Sequence, residues 1–110
     1  MGAWGTDPWD NDAAADFFGA LWDDVPVVER VHAGLRSDDG AEVVAALWLC
    51  ASLCRVYVWP VDRLDETLAL AVAGADRLLA GDDPDGYLDL WDDPSVRAQV
   101  EGFRTELAAR

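Results

Sequence analysis

The run Asp39-Gly40-Ala41-Glu42-Val43-Val44-Ala45-Ala46-Leu47-Trp48-Leu49-Cys50-Ala51-Ser52-Leu53-Cys54-Arg55 decides the fold class. Asp39 and Glu42 stand three apart as an Asp-x-x-Glu capping box, which predicts a helix from about Gly40 to Arg55. Val43, Val44, Leu47, Trp48, Leu49 and Leu53 surround almost the whole cylinder. A helix that is apolar on every side is expected at the centre of a bundle. Its apolar core, Ala45 to Leu53, is far too short to span a membrane.

Working outward, the remaining chain reads as helices separated by short Asp/Gly/Pro punctuation. Gly2, Gly5 and Pro8 make residues 1–9 an irregular arm. Phe17, Phe18, Leu21 and Trp22 give the stripe of a helix from Asp12 to Trp22. A second helix is expected from about Val25 to Arg36, with Pro26 in its first turn and Val28, Val31 and Leu35 on one face. The β-branched and aromatic segment Val56–Val61 reads as a short extended crossover, with a lone strand as the alternative. Leu64, Leu68, Ala71, Val72, Ala75, Leu78 and Leu79 follow the helical period from Leu64 to Ala80, and Gly81 is a fitting stop. A short helix over Gly86–Trp91 follows. Asp93 and Pro94 then cap and open a last helix, whose Val96, Val100, Phe103 and Leu107 form a narrow stripe. The expectation is an all-α, single compact domain of five to six helices with an irregular N-terminal arm, spanning residues 1–110.

The charge is one-sided. The 110 residues carry 22 acids against 8 cations, a formal net charge of -14; every cation is Arg, and 17 of the acids are Asp. Phosphate binding needs a basic footprint, so nucleic acid is excluded as a partner, and anionic membranes are repelled. Twelve of the Asp fall at predicted helix N-termini: Asp10, Asp12, Asp23, Asp24, Asp38, Asp39, Asp62, Asp65, Asp83, Asp85, Asp92 and Asp93. There they cap orphan N–H groups and complement the helix dipole. Arg36, Arg55, Arg77, Arg104 and Arg110 are expected in last turns. The Arg-only composition points to a GC-rich bacterial genome. The N-terminus lacks the basic and apolar regions of a signal peptide, so the expected compartment is the cytoplasm.

Few residues suggest chemistry. Cys50 and Cys54 lie on one helical face and read as small buried core residues; a site of both thiols with His32, the one histidine, and an Asp is the alternative. Gly81–Asp92 can be laid on a calcium-loop pattern, but Gly81 and Asp92 occupy its critical first and last positions. Ser37, Ser52 and Ser95 lack a nucleophile-elbow context, and without Lys there is neither a phosphate-loop lysine nor a Schiff base. No catalytic set, cofactor or metal is assigned. Of six Trp, Trp22 and Trp48 are expected in the core, while Trp4, Trp9, Trp59 and Trp91 lie in or beside loops. These four read either as clamps onto the bundle or as an aromatic patch for a partner.

The opening stretch Met1-Gly2-Ala3-Trp4-Gly5-Thr6-Asp7-Pro8-Trp9-Asp10-Asn11-Asp12-Ala13-Ala14-Ala15-Asp16-Phe17 resembles that of a bacterial family known as domain of unknown function 4259. Ala41–Leu47 is similar to that family's Ala-rich helix, and Tyr87-Leu88-Asp89-Leu90-Trp91-Asp92 to its later Leu-Trp segment. Asp7 stands where Gly is common, and Trp9 where Phe is common. The resemblance implies an all-α bacterial domain and supplies no catalytic residues.

Two readings of function follow. The first is a non-catalytic, acidic interaction or regulatory module, of the immunity type among others, for a basic protein partner. The second is a small enzyme or ligand-binding domain built on the N-terminal motif. The candidate residues are Trp4, Gly5, Trp9, Asp10, Asn11, Asp12, Asp16, Trp59 and Trp91, with an Arg from another helix expected between Asp12 and Asp16. The stripe of the last helix would serve as the seam if the protein is a homodimer rather than a monomer.

Overall fold

The computed structural model describes residues 12–56 and 58–110. Among them are six helices: α1 (Asp12–Asp24), α2 (Val27–Leu35), α3 (Gly40–Leu53), α4 (Val61–Ala80), α5 (Tyr87–Trp91) and α6 (Pro94–Ala108), with no strand. The all-α expectation holds. None of the described helices is long and apolar enough to cross a membrane.

α4, rather than α3, is the central helix. It packs on α2, α3, α5 and α6, burying Leu64, Leu68, Ala71, Ala75 and Leu78. α3 buries Val43, Ala46, Leu47 and Cys50 but leaves Trp48 62% exposed, against the expectation of a core residue. An apolar circumference therefore overstated how many faces of α3 are covered. The α6 stripe is consumed within the molecule: Val100 and Leu107 are buried, and Phe103 packs on the same core. It is not left as a dimer seam.

The helix boundaries differ where Pro and tertiary contacts act. α1 runs on to Asp24, so Asp23 and Asp24 end a helix rather than opening one, placing acids at the unfavourable end of the dipole. Val25 lies between α1 and α2, and Pro26 occupies the N-cap of α2 instead of its first turn. The segment before α4 is a compact turn, not an extended crossover. The Val58 and Trp59 N–H groups both reach the Arg55 carbonyl, at 3.1 and 3.0 Å, and α4 starts at Val61. At α3, Asp39 accepts from the Ala41 N–H at 2.9 Å. The Ser37 hydroxyl, not Glu42, takes the Asp39 N–H, so the capping box is half made. α4 ends as expected at Gly81, whose φ of 73° suits the residue without a Cβ. Asp93 caps α6 through the Ser95 N–H at 2.9 Å.

Of the Arg expected in last turns, Arg77 alone lies in one. Arg36 is the C-cap of α2. Arg110 lies beyond α6 and caps a different helix, donating to the Cys50 and Cys54 carbonyls of α3 at 3.1 and 3.5 Å.

Candidate functional site

Of the residues singled out by sequence, Trp4, Gly5, Trp9, Asp10 and Asn11 lie outside the described residues. Asp12 opens α1 and Asp16 follows one turn later; both are exposed. Neither ion-pairs with an Arg among the described residues, so the cation expected between them is not found there. Trp59 is 2% exposed and belongs to the core, which removes it from any surface patch. Trp91 is 59% exposed on α5, with its ring 6.3 Å from that of Tyr87.

Trp59 instead organises a buried polar junction. Its ring lies 4.7 Å from that of Trp22, and its indole N–H donates to Thr67 Oγ1 at 3.0 Å. The Trp22 indole N–H donates to the Val58 carbonyl, fixing α1 to the turn before α4. Thr67 lies on α4, so its hydroxyl donates to the Arg63 carbonyl one turn back, at 2.9 Å. Its single proton is thereby spent. The remaining lone pair accepts from His32 Nε2, 2.6 Å away, so the imidazole carries its proton on Nε2. The bare Nδ1 faces Glu66 Oε1 at 3.8 Å. Burial pushes the His32 pKa below the ordinary histidine value, outweighing the opposite pull of Glu66. Arg63 closes the rim, donating to Glu66 at 3.0 Å and to Glu29 at 3.1 Å.

This junction ties α1, α2 and α4 together. His32 is 4% exposed and Thr67 fully buried, and every described donor in it already has an acceptor. Sequence reading missed His32 as a core residue. The signal was present, because His32 follows Val28 by four and precedes Leu35 by three, on the same face. The thiols are equally inert: both are buried and free, and a hydrogen bond with Cys50, together with burial, pushes the Cys54 pKa up. A cavity of about 640 Å³ between α2 and α3 is lined mainly by Val, Ala and Leu, with Arg30 and Glu42 as its charged residues.

A second region has the opposite character. Asp85 reaches across 45 positions of chain to accept the Gly40 N–H at 3.2 Å. That bond joins the α2–α3 and α4–α5 connections into an acidic end, which with α5 carries Asp38, Asp39, Asp82, Asp83, Asp85 and Asp89. The approach is close enough that Gly40 is obligatory, since a Cβ there would sit 2.3 Å from the Tyr87 Cβ. Two guanidinium groups from α4 and α6 are committed elsewhere. Arg77 donates to the Leu35 and Ser37 carbonyls, and Arg97 to the Leu79 carbonyl and Glu101. None of these six Asp forms an ion pair among the described residues; the paired acids are Glu29, Glu66, Asp76, Glu101 and Glu106. Asp83 and Asp85 are turned toward backbone N–H groups and not into a calcium loop. Among the described residues no three His, Cys, Asp or Glu converge as metal ligands.

Residues 2–101 match the sequence model of a domain of unknown function (DUF4259). The chain belongs to that family. The match runs from the N-terminal motif into α6, covering both the buried junction and the acidic end. No curated protein and no solved structure matches the chain.

Proposed function

We propose that this member of the family is a non-catalytic interaction module that presents its acidic end to a basic protein partner in the cytoplasm. The observation that supports the reading is the contrast in how charge is used. The buried histidine and hydroxyl are engaged with each other and with Trp59 inside the fold, whereas none of the six Asp around the Asp85–Gly40 contact forms an ion pair among the described residues. Leu90 and Trp91, on the adjoining α5, are 73% and 59% exposed. A rim of charge beside an exposed aromatic is the composition of a recognition surface.

The test is affinity capture from the source cell on the immobilised domain, with partners identified by mass spectrometry and then remeasured pure. The reading predicts a basic protein whose association weakens steeply as salt rises from 50 to 300 mM, because the attraction is screened. A partner held with no salt dependence, or no enriched partner, would overturn it.

A further inference from the structure

The 640 Å³ cavity is a groove with α2 as one wall and α3 as the other, and its apolar lining includes Val25, Val27, Ala33, Ala45, Ala46 and Leu49. Val25, Ala33 and Ala45 are exposed, so the groove is open to solvent. Gly34 and Ala46 meet where the two helices approach: a Cβ on Gly34 would stand 3.2 Å from the Ala46 Cβ. Trp48 follows Ala45 by three positions on α3, which sets it beside the groove, and it is 62% exposed. The charges along the groove are ordered. Glu42 lies at the Ser37 end, where Asp38 and Asp39 occupy the turn into α3; all three are exposed. Arg30 lies seven positions before Ser37, about 10 Å back along α2. None of these four charged groups forms an ion pair among the described residues. The groove is therefore negative where it runs into the acidic end, and apolar with a single cation over the rest of its length.

The geometry points to this groove as the seat of an amphipathic helix of the basic partner, with that helix's cations at the Ser37 end; the inference rests on the interaction reading above. Both walls are helices whose backbone groups are already paired, so an extended segment would find no ladder to join. A helix satisfies its own backbone and needs only an apolar stripe to fill the groove. Charge complementarity then sets its chemistry. Glu42, Asp38 and Asp39 call for Lys or Arg at one end of the stripe, and Arg30 rejects a cation two turns further on. A second copy of this chain is disfavoured as occupant, because each copy carries a net charge of -14.

The test is an amide-resolved NMR titration of the full chain with a synthetic helical peptide that carries a Leu stripe and two Arg at one end. Two controls replace the Arg by Glu, or scramble the sequence so that the stripe is broken. Saturable shifts centred on residues 25–37 and 42–49 are expected for the Arg peptide, several-fold weaker binding for the Glu peptide, and none for the scrambled one. Ala45→Arg, at an exposed position, lays a long side chain across the groove and should abolish binding. Glu42→Arg should weaken the Arg peptide several-fold and strengthen the Glu peptide, an exchange of preference that loss of structure would not produce. Should Ala45→Arg not fold, Glu42→Arg carries the test alone. Absence of saturable binding, equal binding of the scrambled peptide, or an undiminished response in these variants would overturn the assignment. So would the same shifts on concentrating the free protein, which would make a second copy the occupant. The two ideas fail separately. Peptide binding in the groove without any basic partner in the source cell removes the interaction reading alone, while a captured basic partner that ignores Ala45→Arg and Glu42→Arg removes the groove alone.

Discussion

The His32–Thr67–Trp59 junction and the acidic end are both polar, and they treat polarity in opposite ways. In the junction, each donor from α2, α4 and the turn between α3 and α4 has an acceptor in a buried setting, Thr67 Oγ1 taking two of them. At the acidic end, one bond from Asp85 to Gly40 joins two connections that carry six Asp, none of which forms an ion pair among the described residues. Inside, polar groups must be satisfied or they cost stability. Outside, unpaired charge costs the fold little and remains available to another molecule. Substitution in the two regions should therefore report on different properties.

The largest effect is expected in the junction. Thr67→Val removes the acceptor of two buried donors, the His32 Nε2–H and the Trp59 indole N–H. The expected loss is about 2–4 kcal/mol in urea unfolding, with Thr67→Ser recovering most of it. Gly40→Ala comes next, because the new methyl would enter the space of Tyr87 and push α5 from α3. A cost of about 1–3 kcal/mol is expected. The Gly40 amide should also lose protection from hydrogen exchange as the Asp85 contact opens.

A smaller effect follows from pH. The His32 pKa is lowered in the folded chain, so as pH falls the unfolded chain takes up its proton first. The stability from the neutral imidazole is complete above the unfolded value of about 6.5 and is lost as pH drops through the lower folded value. Glu66 and Glu29, also held low, lose their contribution only nearer pH 4, so the two windows separate. Urea midpoints measured from pH 7.5 to 5 should fall in the wild-type protein and stay flatter in His32→Gln.

The comparison also explains what was legible in the sequence. The helices were readable because the 3.6-residue period, the Asp93-Pro94 start and the Gly81 stop are local signals. The central place of α4 was not, because it depends on how many neighbours a helix acquires, and α3 has the more apolar circumference. Counting Asp at helix starts explained part of the acidity: Asp39 and Asp93 do cap their own helices. It misread Asp23 and Asp24, which end α1, and could not see Asp85 serving a helix 45 positions away. Trp59 looked loop-borne and so available; its turn folds inward, and the indole N–H finds its partner on α4. Long-range partners carry most of what distinguishes the two regions, and neither period nor spacing in one sequence encodes them.

The central claim is that the acidic end serves a partner rather than the fold. It is tested most directly by the triple variant Asp38→Asn, Asp82→Asn, Asp89→Asn, immobilised beside the wild-type domain and exposed to the same source-cell extract. The account predicts a basic protein enriched on the wild-type domain and lost from the variant, with the variant's stability unchanged to within about 0.5 kcal/mol or raised. The same protein enriched equally on both, or a variant that unfolds, would contradict it.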